Sequence, residues 1–141
     1  MKPLLFESTK LTPYVYFNPD DGRFEMSGYS RPENIRKFYK PLFDYIDNFQ
    51  KELEEKALKG SKKAINILFV FKFTYINSVS TKFLCEFLAK FERLKENGVS
   101  FSIKWYYEEN DEDMCELGVD ISNIIRHPFN FYTFDGDGDW L

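Results

Sequence analysis

Histidine is almost missing from this chain. His127 is the one in 141 residues, and only two cysteines, Cys85 and Cys115, accompany it. A structural zinc site takes four ligands at short, characteristic spacings, which these scattered residues do not supply. No Ser/His/Asp or Cys/His hydrolase signature appears. His127 precedes Pro128 and reads as a turn residue. The two cysteines fit reduced thiols in a reducing compartment. Glycine is thinly spread, and Gly22, Gly28 and Gly98 make no phosphate-cradling loop. Long apolar runs are absent. Ile67 to Phe71 is the longest, far short of a bilayer span, and Met1 to Glu7 has no signal-peptide core. No basic stripe exists either. The net charge is −4, and Lys59, Lys62 and Lys63 read as a solvated turn. Nucleic-acid binding normally needs a cationic patch that releases counterions from phosphates. The expectation is a cytoplasmic protein with no catalytic residue, no metal, no cofactor, and no nucleic-acid or membrane partner.

What the chain has is aromatic mass. Aromatics make up 19% of it, with 16 Phe and 9 Tyr. That is ample for one packed α/β domain and argues against disorder. Residues 1–12 read as polar and irregular, with 1–8 a tail. Pro13 to Asn18 is rich in strand formers, Pro19-Asp20-Asp21-Gly22 is turn chemistry, and Arg23 to Ser27 alternates. Together they predict a β-hairpin. Ser30 and Glu33 have capping-box spacing ahead of a helix carrying Phe38, Leu42, Ile46, Phe49 and Leu53. Pro41 inside it predicts a kink or two short helices. Ala64 to Tyr75 reads as a strand buried on both faces, as in the centre of an α/β sheet. A second helix runs to about Glu96 and ends at Asn97-Gly98. Val99 to Tyr107 should be a parallel neighbour reached by a right-handed crossover. A third helix follows the acidic stretch Glu108 to Glu116, and Phe129 to Phe134 is a last strand. The tail, Asp135 to Leu141, superficially resembles a calcium loop but lacks its remaining ligands. The predicted fold is a single-domain mixed sheet, a hairpin joined to a parallel β-α-β core, with about three helices.

Two places hold candidate chemistry. At Tyr75-Ile76-Asn77-Ser78-Val79-Ser80-Thr81-Lys82 a buried strand runs into a helix. The C-terminal strand edge is where open α/β sheets present working groups. Asn77, Ser78 or Ser80 each suits the N-cap. A phosphate there would meet free amides and the positive dipole end, so the fold would survive it, whereas a docked partner would not. At Trp105 to Met114, alternating aromatics run into carboxylates. Trp105 and Tyr107 should share one strand face and Tyr106 the other. The acidic residues either cap a helix, dock a partner, or hold a hard cation in a small metal-dependent enzyme. The aromatic excess also fits a passive interaction scaffold.

Thr12-Pro13, Gly28 to Asn34, Phe38-Tyr39, Tyr75 to Ser78, Trp105 to Glu109, Asp111 to Met114, Gly118 and Pro128-Phe129 together resemble the SiaC-type regulatory phosphoproteins of bacteria. The resemblance spans roughly Thr9 to Phe131. That family is similar to the anti-sigma-factor antagonist (STAS) proteins in layout and logic. The resemblance implies a non-catalytic partner switch. A partner kinase phosphorylates one hydroxyl, a PPM-type serine/threonine phosphatase reverses it, and the unmodified form acts on a diguanylate cyclase in biofilm control. By motif matching the acceptor is Ser78, where the family pattern has threonine, with Ser80 and Thr81 as rivals. Asn77 would shape the turn and Lys82 pair with the phosphate. Trp105, Tyr107, Glu108, Glu109, Asp111 and Asp113 would form a partner-docking surface.

Overall fold

The structure is a computed structural model that describes residues 1–61 and 63–135. Six strands form one sheet in the order β1-β2-β3-β4-β5-β6. The strands are β1 (Leu4–Phe6), β2 (Tyr14–Asn18), β3 (Arg23–Ser30), β4 (Ile65–Ile76), β5 (Val99–Glu108) and β6 (Phe129–Phe134). The first two junctions are antiparallel and the other three parallel. Helices α1 (Ile35–Leu58), α2 (Ser78–Glu92) and α3 (Glu112–Ile125) make the three parallel crossovers. A single-domain mixed α/β sheet with three helices is what the sequence pattern implied.

All three helices cover the same face. Their buried side chains, among them Leu42, Leu84 and Ile121, join one cluster with Phe17, Phe24, Phe69, Phe71 and Trp105 of the strands. On the other face Val70, Tyr106 and Phe134 form a separate strand-only cluster. This is why β4 is apolar at successive positions, with Phe69 and Phe71 facing the helices and Val70 facing away. The core is built of interlocked rings, such as Phe17 on Phe24 at 4.7 Å and Phe24 edge-on to Phe91 at 5.2 Å between centroids. Such pairs add to their area burial.

Three expectations are corrected. The N-terminal segment is not irregular throughout, because Leu4–Phe6 pairs with Val15 to Phe17 as β1. Tyr45 fastens that segment to α1, its hydroxyl 2.7 Å from Lys2 O. Ser30 is not the N-cap of α1. It remains in the β3 ladder opposite Ile76, and Asn34 caps instead, its Oδ1 accepting from Lys37 N at 3.1 Å. Pro41 does not divide α1, which runs unbroken from Ile35 to Leu58. Buried Tyr39 on one side of Pro41 and Leu42, Tyr45, Ile46 and Phe49 on the other form one stripe that holds the helix to the sheet. The calcium-loop resemblance beyond Asp135 lies outside the described residues.

Trp105 and Gly118 fix the seat of α3. The indole is fully buried and donates to Met114 O at 3.0 Å. A Cβ added at Gly118 would meet Trp105 Nε1 at 2.6 Å and Phe131 at 2.8 Å. Gly118→Ala is therefore expected to destabilise the fold by about 1–3 kcal/mol, the usual cost of overpacking. Urea denaturation checks this, and a loss within error would mean that α3 shifts freely.

Burial pushes the Tyr45 phenol up to about 12, and it pushes Tyr39 up as well. In the unfolded chain both would ionise near the ordinary value of about 10. Stability is thus retained below that pH and lost as pH climbs through the folded values. Denaturation midpoints should fall as pH rises from roughly 10 to roughly 12, and less steeply in Tyr45→Phe.

Candidate functional site

Because β3 to β6 are parallel, their C-terminal ends share one edge, and each crossover helix begins there. Asn34, Asn77 and Asp111 cap the three helices along it.

Asn77 organises the middle of this edge. Its backbone N–H donates to Ser30 O at 3.0 Å, tying the turn to β3. Its Oδ1 accepts from Ser80 N at 2.8 Å, and its carbonyl accepts from Thr81 N at 2.9 Å and Thr81 Oγ1 at 3.0 Å. Asn77 is therefore the N-cap, ahead of Ser78 and Ser80. Asn77→Ala is expected to cost about 1 kcal/mol, as cap losses do, which thermal denaturation would register.

The same geometry separates the three hydroxyls. Ser78 is the first residue of α2 and exposed, while Ser80 is completely buried. Thr81 is half-buried and gives its proton to Asn77 O. In the folded chain Ser78 offers its hydroxyl to an enzyme and Ser80 does not. The amides of Ser78 and Val79 lie ahead of the intrahelical ladder, as the first donors of any helix do. No acidic residue occupies the first turn of α2. Lys82 is exposed one turn on, on the same side of the helix as Ser78.

Reasoning from sequence missed the surroundings of Ser78. Between Gly28 and Tyr29 the register against β4 slips, so that Gly28 pairs with Phe73 and Tyr29 with Tyr75, leaving Thr74 as an extra residue. This bulge turns Tyr29 and Tyr75 outward, 44% and 45% exposed, with rings 6.4 Å apart. Val79, in the first turn of α2, is exposed as well. Arg36 of α1 lies over the Phe83 ring of α2 at 5.9 Å. Nothing in the sequence marks the bulge, since Tyr75 continues the odd-numbered apolar alternation of β4.

The acidic end of the edge is less uniform than expected. Trp105 is completely buried, so its assignment to a docking surface is corrected: indole and partner cannot meet in this fold. Tyr107 and Glu108 are half-buried, and Glu109 and Asp113 are exposed. Asp111 Oδ1 accepts from Met114 N at 3.0 Å, capping α3, whose first turn carries Glu112 and Asp113. A recess of about 300 Å³ lies between Tyr107, Glu109, Glu112, Cys115 and Glu116. Among the described residues no three His, Cys, Asp or Glu side chains gather as a metal site requires. His127 stacks on Phe101 at 4.1 Å, with Nδ1 3.2 Å from Glu92. It closes the turn before β6, remote from Ser78.

A family model described as "SiaC family regulatory phosphoprotein" matches residues 6–134. The chain belongs to the SiaC family. A curated protein of Pseudomonas aeruginosa strain UCBPP-PA14 is 24% identical over 135 residues, covering 96% of this chain and 99% of that one. Solved structures share the fold. Apo-SiaC from Pseudomonas aeruginosa aligns at a TM-score of 0.74 and 22% identity, over 94% of this chain and 98% of that one. SiaC from the same organism, solved as activator in complex with the diguanylate cyclase SiaD, aligns at 0.76 and 22%, over 93% of this chain and 99% of that one. As a SiaC-family member this chain is a regulatory phosphoprotein. Among the described residues, no helix is long and apolar enough to cross a membrane.

Proposed function

We propose that this chain is a non-catalytic, cytoplasmic partner switch whose phosphate is carried by Ser78. A partner kinase adds it and a PPM-type phosphatase removes it. The unmodified form binds an effector, for which a diguanylate cyclase is the leading class, because the SiaC of Pseudomonas aeruginosa is an activator in complex with one. The observation that carries the reading is the environment of the three hydroxyls: Ser78 is exposed at the first position of α2, Ser80 is buried, and Thr81 is engaged with Asn77.

The energetics favour this position. A phosphate adds about −1.5 to −2 charges. Against the first turn of α2 it meets amide donors and the dipole, worth typically about 0.3–1 kcal/mol for an exposed charge. Lys82 supplies a cation within one turn. The folded chain thus accepts the modification without rearranging its core. A partner surface packed over Ser78 must desolvate that dianion, at a cost of several kcal/mol. Tyr107, Glu108, Glu109 and Asp113, with Asp111 holding their turn, make a second, acidic contact zone.

The experiment is phosphorylation of the purified chain by its kinase with ATP, read by intact mass. The expected result is one added phosphate, absent from Ser78→Ala. An alanine variant that is still fully modified would overturn the assignment.

A further inference from the structure

The working edge is electrically split. At one end α3 begins with Glu112 and Asp113, which offset its own dipole. At the other end the first turns of α1 and α2 carry no acidic residue, so neither helix offsets its own positive end. Arg31, Arg36 and Lys82 are exposed on this half, and none is in an ion pair among the described residues. Glu33, in the loop before α1, is the opposing charge. Apolar side chains are exposed here, as Leu5, Leu58, Val119, Ile124 and Tyr132 are elsewhere on the fold. Tyr29, Tyr75 and Val79 are 44%, 45% and 49% exposed, in a fold that encloses most of its aromatic rings. Tyrosine and arginine bordering exposed apolar surface are the residue types enriched at binding hot spots. No segment of the described chain covers them.

We propose that the effector docks on this half through an acidic segment bearing an apolar anchor. The anchor seats against Tyr29, Tyr75 and Val79, and its carboxylates face Arg31, Arg36, Lys82 and the two helix ends. Its regulation rests on the phospho-switch reading above; the surface itself does not. A phosphate on Ser78 is then a tethered competitor. It fills the positive field that the partner's carboxylates would use and repels them. A partner of basic chemistry would instead be held more tightly after phosphorylation. The acidic end of the edge repels the same segment, which fixes its register.

The test uses the full chain, labelled for amide chemical shifts. The probe is a short synthetic peptide of glutamate, leucine and one tryptophan, alongside its lysine-for-glutamate counterpart. The glutamate peptide should shift Tyr29, Tyr75, Val79, Arg36 and Lys82, with affinity falling as salt rises. Arg36→Glu with Lys82→Glu should weaken it by about tenfold or more, with an unchanged melting temperature confirming the fold. Perturbation confined to another face, or equal binding of the lysine peptide, would overturn the proposal. Shifts at these residues that grow with protein concentration alone would assign the surface to a second copy and overturn it too. Intact mass keeps the two readings apart. A chain phosphorylated on Ser78 that still binds the glutamate peptide unchanged sinks this proposal and leaves the switch standing. A chain that takes no phosphate on Ser78 sinks the switch, and the unmodified protein still tests the surface.

Discussion

Replacing Trp105 by alanine should remove about 3–5 kcal/mol of stability, the range for emptying a large aromatic site. For a domain of this size that is a large share of the total, typically about 5–15 kcal/mol. Two losses add. The cavity forfeits contacts with Phe71, Phe73 and Phe129, whose ring centroids lie 5.6, 6.0 and 5.8 Å from the indole. Met114 O, buried at the head of α3, also loses its donor. Trp105→Phe keeps most of the ring contacts and loses the hydrogen bond, so it should fall in between. Urea midpoints for the two variants check this. Equal losses would assign the whole effect to the hydrogen bond, and a loss below about 1 kcal/mol in the alanine variant would mean the cavity collapses freely.

Phosphorylation of Ser78 should weaken effector binding by about 100-fold or more while leaving the melting temperature within a few degrees. The two readouts diverge because the charge has different neighbours in each state. In the free chain it is solvated and set against a helix N-terminus. Beneath a docked surface it is desolvated, and an uncompensated buried charge costs about 3–5 kcal/mol, which corresponds to a factor of 100 or more in affinity. Calorimetric titration of the effector with unmodified and phosphorylated chain measures the first readout, and thermal denaturation the second. A phosphorylated chain that binds as before would refute the switch at this residue. One that melts far lower would point to a folding defect rather than a competing charge. Ser78→Glu is a weaker test, since one carboxylate has half the charge and fewer acceptors than phosphate.

Much of the layout was legible from side-chain periodicity. The doubly buried β4 announced itself as a central strand, and the apolar stripes of α1 and α2 placed both helices on a sheet. Trp105 and Tyr107 do share the helix face, with Tyr106 on the other. What was not legible depends on tertiary contacts. Three residues, Leu4–Phe6, carry too little pattern to declare a strand, and β1 exists because β2 offers it an edge. Ser30 has the right spacing for a cap, but the ladder to β4 claims it first. Propensity alone puts a break at Pro41, and packing on both sides overrides it. Near Ser78 the sequence showed a polar turn with three hydroxyls and could not rank their exposure. That ranking comes from the phase at which α2 leaves the sheet.

The bulge at Thr74 bears on that phase. Each helical residue advances by about 100°, as 3.6 residues per turn requires. Ser78 and Ser80 therefore point some 200° apart, one toward water and one toward the core. Strand β4 must deliver the chain to Asn77 with Ile76 facing inward, and the supernumerary residue resets the inside-outside alternation just before it does so. Accessibility of the modified hydroxyl is thus governed by residue count as well as residue type. Deleting Thr74 would leave every residue of the switch intact and set the alternation of β4 against the stripe of Ser80, Leu84, Phe87 and Leu88 that holds α2 to the core.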